Sequence, residues 1–156
     1  MKKIFFLAAV LFISVTIYGQ GKIFSVEELV WHGLTMDHLD SIYKNGLPVS
    51  DPNHQVFSQN YYDNVVEKAR IALLQKMGDY FKKNGLKWQS SVNCWNRMYF
   101  NLNGSIDYFV YHFIGKVDEK KENEFKKLLN IFFKENKLTV GAPEKFSLCG
   151  KVTWTD

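Results

Sequence analysis

The sequence predicts an α+β fold: a small antiparallel sheet, made of a hairpin and a C-terminal strand, packed against two long helices and preceded by short N-terminal helices. Three observations carry that reading. Tyr62, Val66, Ala69, Leu73, Met77 and Tyr80 recur at spacings of four and three, as do Phe125, Leu128, Leu129, Phe132 and Phe133, so each stretch builds one apolar helical stripe. Residues 97–101 and 105–113 are rich in aromatic and β-branched types and flank Asn103-Gly104. Phe146, Leu148, Val152 and Trp154 alternate along the C-terminus, with Gly150 weakening the run.

Residues 1–19 have the layout of a cleaved secretory signal peptide: Lys2 and Lys3, an apolar run from Ile4 to Ile17, then Tyr18-Gly19-Gln20. The run holds about 14 residues, against the roughly 20 that a spanning helix needs, which favours a signal over a retained anchor. No cysteine adjoins the cleavage point, which argues against a lipoprotein. The expectation is a periplasmic or secreted protein of residues 20–156, one domain with no stable membrane anchor. Within it, residues 20–59 form a helical and loop portion and residues 60–154 a helix-hairpin-helix-strand unit.

The elements follow in order. Ser25-Val26-Glu27-Glu28 is a capping box that opens a short helix, stopped at Gly33. Thr35 caps a second short helix carrying Met36, Leu39 and Tyr43, which Asn45-Gly46-Leu47 is expected to end with a left-handed glycine. Leu47 to Phe57 holds Pro48 and Pro52 and reads as a surface loop. The first long helix is expected to begin at Asn60, with Asp63 supporting its cap, and to stop at Asn84-Gly85-Leu86.

In the hairpin, patterning selects a three-residue loop with Gly104 as the left-handed bulge residue. Phe100 then faces Ile106, Met98 faces Tyr108, and Asn101 faces Ser105. The expected core face is Met98, Phe100, Ile106, Tyr108 and Val110; Tyr99, Asp107, Phe109 and Tyr111 lie on the other. Asp118 caps the second long helix, about 119–135, where Glu122 and Lys126 form an i,i+4 pair.

Composition narrows the function. The formal charge of +4 includes Lys2 and Lys3, so the mature chain carries about +2 by subtraction, too little to imply nucleic acid or an anionic membrane. The aromatic fraction is 16%; most of these rings should be core, but a small protein cannot hide all of them, which leaves room for an exposed aromatic patch. The two cysteines, Cys94 and Cys149, read as a disulfide in an exported chain, worth roughly 4 kcal/mol on the chain-entropy argument; the alternative is two buried free thiols.

No pattern of catalysis stands out, so no catalytic residue, cofactor or metal is assigned. His32, His38, His54 and His112 lack His-x-x-x-His or Glu-x-x-His spacing. Cys94 has no nucleophile motif around it, no Gly-x-Ser-x-Gly occurs, and no phosphate-binding glycine loop is present. Asn103-Gly104-Ser105 fits the N-glycosylation pattern, but turn chemistry already accounts for it. The lysines of 120–137 alternate with glutamates and read as a solvated helix face.

Met98-Tyr99-Phe100-Asn101-Leu102-Asn103-Gly104-Ser105-Ile106, followed by the helix from Phe125 to Phe133 and the strand from Phe146 to Trp154, resembles the C-terminal domain of TonB-type periplasmic proteins over about residues 60–154. The chain departs from that family's Pro-rich spacer and uncleaved anchor, with only Pro48, Pro52 and Pro143 and a leader that reads as cleavable. The resemblance implies a soluble envelope module that binds protein, by adding a strand to a sheet edge. The leading expectation is therefore a non-enzymatic module for an envelope or extracellular protein, with Tyr99, Phe109 and Tyr111 as its contact surface or, alternatively, as a second small core under the N-terminal helices. Two other readings stay open. One is a carbohydrate-binding module stacking glycan on Trp31, Trp88 and Trp95. The other is a small hydrolase whose histidines converge with Cys94 or a carboxylate.

Overall fold

The computed structural model describes residues 22–49 and 55–156; the expected signal peptide and His54 lie outside them. The fold is α+β, a five-stranded mixed sheet between two unequal helical layers. Strands β1 (Lys22–Ser25), β2 (Lys44–Asn45), β3 (Val92–Phe100), β4 (Ile106–Ile114) and β5 (Phe146–Trp154) are ordered β1-β4-β3-β5-β2. The antiparallel centre β4-β3-β5 is the expected hairpin plus terminal strand. The two edge strands run parallel to their neighbours and were not anticipated.

Local signals set most helix ends. Helix α1 (Val26–Trp31) begins at the Ser25–Glu28 capping box and is closed by Gly33 at φ +70°, with Leu34 N–H donating to Leu29. Thr35 caps α2 (Met36–Ile42). The cap of the first long helix lies two residues earlier than expected, at Ser58 rather than Asn60, and the helix opens as α3 (Gln59–Tyr61). A π-type turn, Tyr62–Val66, joins it to α4 (Glu67–Lys83). The wider turn lets the Tyr62 hydroxyl reach the Glu67 carboxylate five residues on, at 2.9 Å. Gly85 at φ +83° ends α4 with Leu86 N–H on Phe81, as its Asn-Gly-Leu signal predicts. Asp118 caps α5 (Glu119–Glu135).

The same Asn-Gly-Leu signal fails at Gly46. Helix α2 has already ended at Ile42, and Lys44–Asn45 is strand β2. Gly46 is there for clearance: a Cβ would sit 2.7 Å from the Leu148 side chain and 2.9 Å from Ser147 O.

The hairpin loop is as expected at its tip. Gly104 has φ +82°, Asn101 N–H donates to Ser105 O, and Phe100 faces Ile106. One residue later the register slips, so that Tyr99 faces Tyr108 and Met98 faces Phe109. Asp107 is the extra residue of a β-bulge, and it reverses the inward face of the rest of β4. Phe109, Tyr111 and Phe113 therefore join Met98, Phe100 and Ile106 under α4 and α5, whereas Tyr108 and Val110 turn to the opposite face. That corrects the expected core face for Tyr108, Val110, Phe109 and Tyr111.

Helices α1 and α2 cover part of this second face. Leu29, Leu39, Tyr43, Tyr99 and Val110 make a second small core, sealed by polar contacts. The Tyr99 hydroxyl donates to Asp40 at 3.0 Å, Arg97 pairs with Asp40 at 2.9 Å, and the Tyr43 hydroxyl donates to Asp107 at 2.8 Å. The expected Glu122–Lys126 pair gives way to tertiary partners. Lys126 binds Glu28 of the capping box, and Glu122 accepts the Tyr111 hydroxyl at 2.6 Å. Burial raises the Glu28 carboxyl pKa, but Lys126 and the Ser25 N–H outweigh it and hold the group below its ordinary value.

Candidate functional site

Among the described residues, β5 leaves its far part as a stretch of sheet edge that no strand covers. β2 occupies only its first two residues: Lys44 N–H donates to Lys145 O and Gly46 N–H to Ser147 O, each at 2.9 Å. These bonds fix the direction of the alternation. Backbone groups of Lys145 and Ser147 point away from β3, so those of Cys149, Lys151 and Thr153 do too. Among the described residues no strand pairs with them. The sheet thus ends in an edge of about six residues, Cys149 to Trp154, long enough to template another strand.

A groove of about 470 Å³ runs beside the far end of that edge, between α4 and β5. Leu74 and Gly78 form its helix wall, Trp154 its strand wall, and Asp79 and Lys82 its rim. Gly78 leaves a notch over the Trp154 indole, where even a Cβ would reach only ordinary contact at 3.6 Å. An added strand would send alternate side chains into this groove and over the opposite, polar side of Lys151 and Thr153.

The strand is held from below by α4. Arg70 makes two hydrogen bonds to Glu67, each 2.7 Å, and its guanidinium lies against Gly150, with Nη1 2.9 Å from where a Cβ would stand. Gly150, which reads as a weakness in the strand, is what admits this side chain. The Arg70 hydrogen bonds hold the Glu67 carboxyl below its ordinary range. Burial, reinforced by Glu67, pushes the Tyr62 phenol up to about 12.

The residues singled out from sequence fall elsewhere. Tyr99, Phe109 and Tyr111 are all 0% exposed and offer no contact surface. Tyr99 belongs to the second small core, and the Asp107 bulge carries Phe109 and Tyr111 into the main one. Of the candidate stacking residues, Trp88 packs inside against Phe113 and Phe125, Trp95 is half-buried opposite His112, and Trp31 is 87% exposed at the end of α1. Trp31 is the one exposed tryptophan among the described residues, so these indoles do not form a row of exposed rings.

The expected disulfide is not formed; both thiols are free. Register gives the reason. Cys149 faces Arg97 across β3–β5, and Cys94, three residues from Arg97, points to the opposite side of the sheet. Burial pushes the Cys94 thiol up to about 12, which disarms it as a nucleophile. Iodoacetamide should therefore label half-exposed Cys149 in the native protein and reach Cys94 only on unfolding, as peptide mass mapping would show; equal labelling of both would contradict this packing.

The histidines are spread out. His32 packs on Phe24, His38 sits in the first turn of α2, and His112 meets Glu27 at 3.2 Å. A recess beside His112 is bordered by Ser25 and Tyr111, but both hydroxyls are committed, Ser25 to the Glu28 N–H and Tyr111 to Glu122. Among the described residues no group of three or more His, Cys, Asp or Glu could hold a metal ion, and no helix is long and apolar enough to cross a membrane.

Sequence reasoning missed the edge because being an edge depends on strand order. The one local signal was the change along β5 from apolar neighbours to Lys151 and Thr153, charged and polar residues of the kind that edges carry. No protein-family profile, curated protein or solved structure matches the chain.

Proposed function

We propose that this protein is a non-enzymatic binding module of the cell envelope or exterior, which takes an extended segment of a partner protein onto the free edge of β5. The observation that carries the reading is the run of outward backbone groups at Cys149, Lys151 and Thr153 beside a groove that can receive alternate side chains. The partner strand would place a small apolar residue over Gly78 and Trp154. The signal-like leader supports the location, and the element order resembling TonB-type C-terminal domains supports the mode of binding.

Lys151→Pro tests it. The Lys151 N–H points away from β3, so proline there removes one docking donor and leaves the β3–β5 ladder whole. The variant should keep its circular dichroism spectrum. Binding to a partner captured from envelope extract and identified by mass spectrometry should fall about tenfold or more. In the free protein the Lys151 and Thr153 amides should exchange hydrogen quickly, and the partner should protect them. Undiminished binding by a folded Lys151→Pro protein would overturn the proposal. So would a concentration-dependent dimer in sedimentation that protects the same amides, since the edge would then serve a second copy of the chain.

A further inference from the structure

Unpartnered polar atoms gather where α4 crosses β3 and β5. Asn96 is fully buried, and neither its Nδ2 nor its Oδ1 has a hydrogen-bond partner among the described residues; the same holds for buried Arg70 Nη1. These atoms share one space. Asn96 faces Gly150 directly in the β3–β5 register, and Arg70 Nη1 lies 2.9 Å from the Cβ position of residue 150. Paired positions on one face bring their Cβ sites to about 5 Å, so the Asn96 amide and the guanidinium end converge over the glycine. Leaving such groups unpaired is costly, and proteins resolve it with a partner or an ordered water.

We infer that a water molecule is bound between Arg70 and Asn96. The chemistry of the groups selects it. Asn96 presents both a donor, Nδ2, and an acceptor, Oδ1, beside the Arg70 N–H; a water can accept from one group and donate to the other, whereas an anion would leave Oδ1 unpaired. The Arg70 charge is already met by the bidentate Glu67 carboxylate, and a cation would face the guanidinium. The bridge would tie α4 to the middle of β5, directly behind the edge at Cys149 and Lys151. This inference is independent of the docking reading.

A high-resolution crystal structure of the wild-type protein tests it. Water density within about 3.2 Å of both Arg70 Nη1 and Asn96 is expected. An Asn96 side chain bonded directly to Arg70, with nothing between, would overturn it. In solution, oxygen-17 relaxation dispersion should show a long-lived water that disappears in Asn96→Leu. A folded Asn96→Leu protein with unchanged dispersion would count against the site, and if that variant does not fold, the crystal result decides.

Discussion

Replacing Phe125 by alanine should cost about 3–5 kcal/mol, a large share of the roughly 5–15 kcal/mol that holds an ordinary domain folded. Phe125 is fully buried on α5 and is the ring where the main core meets itself. It packs at 5.2–5.3 Å from Phe81 of α4 and from Tyr111 and Phe113 of β4, and at 5.8 Å from Trp88. Trp154 of β5 and Phe109 lie a little beyond, each at 6.4 Å. One side chain therefore joins both long helices to two strands, and the space it leaves is walled by rigid rings that cannot close over it. Urea unfolding followed by tryptophan fluorescence measures the effect, because Trp88 and Trp154 border the cavity. A loss below about 1.5 kcal/mol would mean that the surrounding rings repack, and that Phe125 is not the junction the distances indicate.

Gly104→Ala should be the most damaging glycine-to-alanine change among the described residues, at about 2–4 kcal/mol. Two effects combine there. Gly104 has φ +82°, a conformation that costs an L-residue energy wherever it occurs. Its Cβ would also stand 2.3 Å from Leu138 O and 2.7 Å from Val140 O. Those oxygens belong to the segment that straps the hairpin tip, held by Leu138 N–H on Gly104 O and Ala142 N–H on Leu102 O, each at 3.0 Å. Backbone atoms cannot rotate away, so the strap must lift. Gly85→Ala is the control: its φ is nearly the same, +83°, but no atom lies within 4 Å of the added Cβ. The Gly104 variant should lose clearly more stability than the Gly85 variant. Equal losses would show that conformation alone, and not the strap, sets the cost.

Gly85 also shows how far a local signal reaches. Asn-Gly-Leu at 84–86 and at 45–47 is the same tripeptide. At 84–86 it terminates a helix with the hydrogen bonds it predicts, because nothing distant competes for those backbone groups. At 45–47 the backbone is claimed by β5, and the glycine serves clearance against Leu148 instead of left-handedness. The docking edge lies on the same divide. The polar residues of β5 are visible in the chain, but whether a strand covers its outer side depends on β2, two residues donated from a segment about a hundred positions away.

The order of side chains alone encodes the fold class, the two long helices and their apolar stripes, the caps at Ser25, Thr35 and Asp118, the helix stops at Gly33 and Gly85, and the three-residue hairpin loop with Gly104. Each of these is fixed by interactions spanning only a few residues, which the local order of side chains encodes. The parallel edge strands, the Asp107 bulge that buries Phe109 and Tyr111, the partner of Lys126 and the free side of β5 arise from long-range packing. It also sets Cys94 and Cys149 on opposite faces of the sheet. All of these turn on which distant strand or helix claims a backbone or a face. A shift of one residue in that pairing exchanges inside for outside, and no local pattern in the chain records it.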